Sequence, residues 1–194
     1  MINNQLVDRL KTHGELSIGG QCKDCIYGKH TAHLFNHEGV REKELLERIH
    51  IDLWGPAQIA LAGGSRYFML MVDGFSSYRT VAFTNSKSAD VILNIFKAYQ
   101  VEAERQTGKR IKHIRLDMGK EWLNNTWENY RLSQGLDFEF TTPYAHQQNS
   151  MAERSIRTIL DGTWTTLAES GLLLRYWADA VQTTVYVRNL IPSS

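Results

Sequence analysis

Residues 48–53 read Arg-Ile-His-Ile-Asp-Leu, and a Gly-Pro turn follows directly after Trp54. Polar and apolar side chains alternate along this stretch, which predicts a half-buried β-strand. The alternation places Ile49 and Ile51 on one face and Asp52 on the other, away from the main apolar side chains. The strand is therefore expected to carry a carboxylate close to its C-terminal end.

The rest of the chain continues the order that this strand begins. Four more strands are predicted at 67–73, 79–84, 111–116 and 136–140, and helices at 88–107, 121–133, 150–169 and 173–190. Three consecutive strands followed by alternating helices and strands predict an α/β fold with a mixed five-stranded sheet flanked by helices. This order resembles the ribonuclease-H-like arrangement.

The composition is that of an ordinary globular protein. The 194 residues are 42% apolar and 22% charged, and the formal net charge is +1. Overall charge therefore does not indicate a nucleic-acid binder, and any DNA affinity must come from local clusters. Neither a signal peptide nor an apolar run of membrane-spanning length is found, which predicts a soluble intracellular protein with no membrane partner.

Three regions are predicted along the chain. Residues 1–46 are polar, hold four of the seven histidines and form a small N-terminal module with a linker. Residues 47–170 form the main domain, and residues 171–194 form a C-terminal helical extension. The two cysteines, Cys22 and Cys25, are too close to staple a fold and indicate a metal or redox site in a reducing compartment.

Three acidic residues occupy positions from which they can converge. Asp52 and Asp117 each end an apolar run, and Glu153 opens a long amphipathic stretch 35 residues beyond Asp117. Carboxylates carried by two strands and a helix can hold hard cations such as Mg²⁺, and paired Mg²⁺ ions perform phosphoryl transfer on nucleic acids. The alternative is that each acid serves as a turn or cap residue, with Glu153 paired to Arg157 one helical turn away.

Five segments resemble, in the same order, the integrases of copia-type LTR retrotransposons. Three of them resemble the catalytic segments of that family: residues 50–56 (His-Ile-Asp-Leu-Trp-Gly-Pro), 115–122 (Arg-Leu-Asp-Met-Gly-Lys-Glu-Trp) and 142–154 (Thr-Pro-Tyr-Ala-His-Gln-Gln-Asn-Ser-Met-Ala-Glu-Arg). Residues 176–193 resemble the segment that follows the core, and residues 22–29 resemble the cysteine half of the integrase zinc module. The family spacing, D,D(35)E, is met.

The resemblance implies an integrase catalytic core, a polynucleotidyl transferase that uses Mg²⁺ or Mn²⁺. Such a core joins processed 3′ ends of element DNA to host DNA. By motif position, Asp52, Asp117 and Glu153 would be the catalytic metal ligands, and no organic cofactor would be needed. The resemblance also implies a homo-oligomer and, in a eukaryotic host, a nuclear location.

Two departures from the family bear on the expected activity. Met118 stands where the family usually has Asn, and Ser150 stands where it usually has Gly, which reaches backbone conformations that Ser avoids. Both substitutions are expected to impair activity. Cys22 and Cys25 would form only part of a Zn²⁺ site, because a structural zinc takes four ligands and the family's upstream His pair has no match here. A truncated N-terminal zinc module is therefore expected within residues 1–46.

DNA contacts are predicted around the acids, because basic and polar side chains there suit phosphate contacts and base stacking. The candidates are Lys120, Arg154 and Arg157 beside the acids, and Tyr144, Gln148 and Asn149 in the polar loop before the last acid. The alternative is a solvated surface and an ordinary capping loop.

Three functions follow from these patterns. The first is a retrotransposon integrase core that catalyses strand transfer into target DNA. The second is a catalytically inert DNA-binding or assembly module from a decayed or domesticated element. The third is a ribonuclease-H-like nuclease that only hydrolyses. The intact set of three acids favours an enzyme, and Met118 and Ser150 favour the inert module.

Overall fold

The computed structural model describes residues 42–61, 63–141 and 150–191. Several predicted site residues lie outside these ranges: Cys22, Cys25, Tyr144, Gln148 and Asn149. The zinc module and the polar loop therefore stay predictions.

Five strands form one mixed sheet, as predicted. They are β1 (Arg48–Trp54), β2 (Tyr67–Asp73), β3 (Arg79–Thr84), β4 (His113–Leu116) and β5 (Asp137–Phe140), in the spatial order β3-β2-β1-β4-β5. The meander β1-β2-β3 is antiparallel, and β4 and β5 join β1 in parallel. β4 begins two residues later than predicted, because the Ile111 N–H donates to the Glu104 carboxylate instead of to a neighbouring strand.

In the described ranges four helices accompany the sheet: α1 (Ala89–Thr107), α2 (Asn125–Gln134), α3 (Ser150–Ser170) and α4 (Trp177–Leu190), with a 3₁₀ turn at Leu174–Tyr176 before the last. Gly108 and Gly135 end α1 and α2 in the left-handed conformation, as their positions predicted. None of the described helices is long and apolar enough to cross a lipid bilayer.

Two predicted helix starts were wrong. The helix predicted from residue 121 begins at Asn125, because the Asn124 side chain accepts a hydrogen bond from the Trp127 N–H and caps it. Residues 117–124 are therefore a turn. The helix predicted from residue 173 begins at Trp177, after the 3₁₀ turn.

One face of the sheet packs against α1 and α2. Its buried core includes Ile49 and Ile51 of β1, as the alternation predicted, and large aromatic side chains from both helices. Phe96 of α1 and Trp127 of α2 lie with their ring centroids 5.6 Å apart in the middle of this layer. Burial of these side chains fixes the two helices on the sheet.

The other face packs against α3 and α4, so Asp52 does not face away from all apolar packing. The Cα atoms of Asp52 and Leu70 are register partners on β1 and β2, and Leu70 belongs to a second buried core that includes Ile156 and Trp177. The Trp177 indole donates to the carbonyl of Ile59 at 3.0 Å. Residues 177–190, predicted as an extension, thus share a core with the sheet.

A mixed sheet in this order, with helices on both faces, is the ribonuclease-H-like α/β fold that the sequence predicted. In this fold β1 and β4 are adjacent and parallel, so their C-terminal ends meet at the same edge. That edge is where ligands meet an open α/β sheet.

Candidate active site

Asp52 lies near the C-terminal end of β1, on the face that carries α3. Its side chain is partly buried, and Oδ1 accepts a hydrogen bond from the Leu53 N–H at 2.8 Å. Burial raises the pKa of Asp52 to about 6, and the negative charges of Asp117, Glu153 and Glu121 add to the rise. The Leu53 hydrogen bond opposes it only in part. Asp52 therefore lies in a field of other carboxylates.

Asp117 directly follows β4, at the edge where Asp52 lies. Its Oδ1 accepts two hydrogen bonds, from the Gly119 N–H at 3.0 Å and from the Trp122 indole at 2.7 Å. Trp122 is buried in the core under α2, so its ring holds the carboxylate in a fixed orientation. A carboxylate oriented in this way is prepared to bind a ligand through its other oxygen.

Glu153 lies in the first turn of α3 and is exposed. The buried residues Ala152 and Ile156 on either side of it hold that turn against the sheet. β5 runs parallel to β4 and ends at the edge that carries Asp117, and α3 begins ten residues later, at Ser150. The three predicted acids therefore belong to one edge of the sheet.

Another group of possible metal ligands is packed more tightly than these three acids. Within the described ranges, ligand atoms of His113, Asp137 and Glu139 lie within 4.8 Å of one another, a spacing that Asp52, Asp117 and Glu153 do not reach. His113 and Asp137 begin β4 and β5, at the opposite ends of these strands from Asp117, and Glu139 lies two residues further along β5. The group could hold a metal ion, but its Glu139 already has other partners.

Glu139 is the acceptor of a small ionic network on the sheet. It accepts hydrogen bonds from Arg48 at 2.8 and 3.2 Å and from the Arg115 Nε at 2.9 Å, and Arg48 also pairs with Glu42. Burial would raise the pKa of Glu139, but the two guanidinium groups outweigh it and hold that pKa below its usual value. A cation bound here would have to displace those partners.

We expect Glu139→Gln to lower the free energy of unfolding by about 1–2 kcal/mol at pH 7, after allowance for partial solvent screening. Because the folded-state pKa is depressed, this stabilisation is full above the ordinary pKa of 4.5 and is lost as pH falls through the lower, folded-state pKa. Urea denaturation at a series of pH values from 7 downwards should show a difference from the unmutated chain that is full at pH 7 and shrinks as pH falls below 4.5. The control is Glu128→Gln, in an exposed pair with Arg131; equal losses in the two variants would contradict the prediction.

Glu121 is an acid at this edge that the sequence pattern did not single out, because it was predicted to be the first residue of a helix. It lies in the turn between β4 and α2. A Cβ placed on Gly119 would lie 2.6 Å from the Glu121 Oε2 and 2.9 Å from the Asp117 Oδ1, so the two oxygens are within about 5.5 Å of each other. The signal that could have revealed it is Asn124, whose capping preference ends the turn and leaves Glu121 outside the helix.

The predicted basic residues near the acids have exposed side chains: Lys120 in the turn, and Arg154 and Arg157 on α3. Met118 is 49% exposed, so this departure from the family does not disturb the packing beneath Asp117. Ser150 is the first residue of α3.

A cavity of about 550 Å³ opens elsewhere, between the β2–β3 turn and the C-terminal ends of α1 and α4. Its lining includes Asp73, Arg79 and Arg188, and none of the predicted site residues. Because β2 runs antiparallel to β1, Asp73 lies at the opposite end of the sheet from Asp52. The cavity therefore lies away from the edge of the sheet that carries Asp52 and Asp117.

The chain is similar to a curated polyprotein and to a solved viral assembly, although no protein-family model matches it. It is 33% identical over 172 residues to the retrovirus-related Pol polyprotein from transposon TNT 1-94 of Nicotiana tabacum, a match that spans 89% of this chain and 13% of that polyprotein. It also resembles, with a TM-score of 0.60 and 14% identity, a chain in the cryo-electron-microscopy structure of the simian T-cell lymphotropic virus intasome in complex with PP2A regulatory subunit B56 gamma. That match covers 76% of this chain and 49% of the other, and at this identity it supports the fold.

Proposed function

Because this chain carries an integrase-like core related to a retrotransposon Pol polyprotein, we propose that it joins DNA 3′ ends to target DNA by metal-dependent transesterification. The observation that carries the proposal is the acidic edge of the sheet. Asp52, Asp117 and Glu153 belong to it, and the charges of the last two raise the pKa of Asp52.

The donor set fits a divalent cation. Within the described ranges, no Lys or Arg forms an ion pair with Asp52, Asp117 or Glu153. Partly buried carboxylates that repel one another are unfavourable without a counter-charge, and Mg²⁺ takes carboxylate oxygens as ligands. The negative field at Asp52 is therefore what a cation site requires.

When bound, Mg²⁺ or Mn²⁺ supplies a Lewis acid that activates the attacking oxygen and stabilises the leaving oxygen at phosphorus. Asp52, Asp117 and Glu153 would hold it. Trp122 and the Gly119 N–H fix one oxygen of Asp117 and leave the other for the cation. The attacking group is a DNA 3′-hydroxyl, so the chain itself needs no nucleophile.

Basic side chains beside the acids would position the DNA. Lys120, Arg154 and Arg157 are exposed at or near the acidic edge and suit contacts to phosphates, which orient a duplex without reading its sequence. Tyr144, Gln148 and Asn149 complete the proposed contact set. The proposal also includes homo-oligomeric assembly and, in a eukaryotic host, a nuclear location.

The test is a strand-transfer assay on short duplex DNA with Mg²⁺ or Mn²⁺. We expect joined products from the unmutated chain and their loss in Glu153→Gln, because the amide cannot replace a carboxylate ligand. Glu169→Gln is the matched control: it makes the same change at an exposed position on α3, 16 residues and therefore about 24 Å from Glu153.

Other outcomes separate the alternatives. Cleaved but never joined DNA would favour a nuclease that only hydrolyses. DNA binding without any product, under either metal and also in a longer chain extended upstream, would favour an inert binding module. Equal joining by Glu153→Gln and Glu169→Gln would overturn the assignment of Glu153.

A further inference from the structure

The turn between β4 and α2 brings a fourth carboxylate to the acidic edge. The side chains of Asp117 and Glu121 flank the Cα of Gly119 so closely that a Cβ there would lie under 3 Å from an oxygen of each. The absence of a side chain at Gly119 is thus what allows the two carboxylates to approach.

The backbone of Glu121 is held by the residues that follow it. Its carbonyl accepts a hydrogen bond from the Asn124 Nδ2 at 2.8 Å, and the next residue, Trp122, is buried in the core. Asn124 is itself fixed because it caps α2. The backbone position of Glu121 is therefore set by the fold.

No described cationic side chain pairs with the carboxylate of Glu121. Within the described ranges Glu121 forms no ion pair. An acid fixed beside Asp117 adds repulsion to an edge that is already negative, and a bound cation would reverse the sign of that contribution.

We propose that Glu121 is a fourth carboxylate of the metal site and holds a divalent cation together with Asp117. The inference rests on the proposed function. Since Mg²⁺ takes only one or two protein carboxylates, Asp117 with Glu121 suffices for one cation.

Titration of the full chain with Mn²⁺ alone, without DNA, tests this proposal by isothermal calorimetry. We expect Glu121→Gln to weaken Mn²⁺ binding about 10–100-fold, the range found when groups supporting a metal site are removed. Glu121→Asp should recover part of the affinity, because it restores a carboxylate on a shorter side chain. Glu169→Gln should bind as the unmutated chain does.

A second variant keeps every acid. In Gly119→Ala the new methyl group would press on the side-chain ends of both Glu121 and Asp117, so we expect a folded protein with similarly weakened Mn²⁺ binding. Unchanged affinity in both Glu121→Gln and Gly119→Ala, with the unmutated chain binding Mn²⁺, would overturn the role of Glu121 alone. No Mn²⁺ binding by the unmutated chain would overturn the proposed function as well.

Discussion

Replacing Asp52 with Asn is expected to abolish DNA joining and, at neutral pH, to make the metal-free protein more stable. The loss of a metal ligand removes several kcal/mol of transition-state stabilisation, which corresponds to a fall in rate of at least about 10³-fold. The gain in stability has a different cause, which is the cost of keeping a buried Asp52 ionised beside other acids.

The pKa of Asp52 is raised from 3.8 to about 6 in the folded chain. A raised pKa means that the folded state favours the protonated carboxyl, so this contribution to stability is full below pH 3.8 and is lost as pH rises through 6. Asn cannot ionise and loses nothing. We therefore expect Asp52→Asn to unfold with a free energy about 1–2 kcal/mol higher than the unmutated chain at pH 7.5, and with little difference near pH 4.

Urea denaturation with a chelator at both pH values measures the effect. His50 does not confound it: burial lowers its pKa to about 4, so its protonation destabilises both chains alike as pH falls. Saturating Mg²⁺ should stabilise the unmutated chain more than Asp52→Asn, which lacks one of the carboxylate ligands. The control is Asp137→Asn, at the far end of the sheet. An Asp52→Asn chain that is less stable at pH 7.5, or that joins DNA normally, would contradict the prediction.

Local sequence signals predicted most of the fold. The bounds of β2 and β3 match the predicted ones, and Gly108 and Gly135 mark the ends of α1 and α2, because alternation and glycine conformation are properties of short segments. The start of α2 could not be read in this way. The apolar residues before Asn124 could equally have started the helix. Asn124 becomes its cap because Trp127 packs into the core, and that contact is not visible in the local sequence.

The site was predicted only as far as the three acids. Their order and spacing are visible in the chain, but the raised pKa of Asp52 depends on burial and on charges from distant segments. Glu121 was missed for the same reason, since its distance to Asp117 depends on a turn that has no periodicity. Contacts between distant segments also hold α4 on the sheet, and the main one is made by Trp177.

Replacing Trp177 with Ala is expected to lower the free energy of unfolding by about 3–5 kcal/mol, the usual cost of removing a buried Trp. The indole is 2% exposed and donates to the Ile59 carbonyl. Its ring centroid lies 5.7 Å from that of Trp54 and 5.6 Å from that of Phe83, so it ties α4 to two strands. Removal would leave a cavity between the helix and the sheet.

Trp177→Phe separates the contribution of packing from that of the hydrogen bond, because it keeps an aromatic ring and removes the hydrogen bond to Ile59. We expect it to lower the free energy of unfolding by about 1–2 kcal/mol. The control is Trp164→Ala on α3, where the side chain is 43% exposed and the loss should stay below about 1 kcal/mol. Urea denaturation measures all three. If Trp177→Ala costs no more than Trp164→Ala, then α4 contributes little to the stability of the main domain, as the predicted C-terminal extension at 171–194 would. A large loss would instead make α4 part of the folding unit that holds Asp52, because Trp54 lies two residues beyond that acid and packs on Trp177.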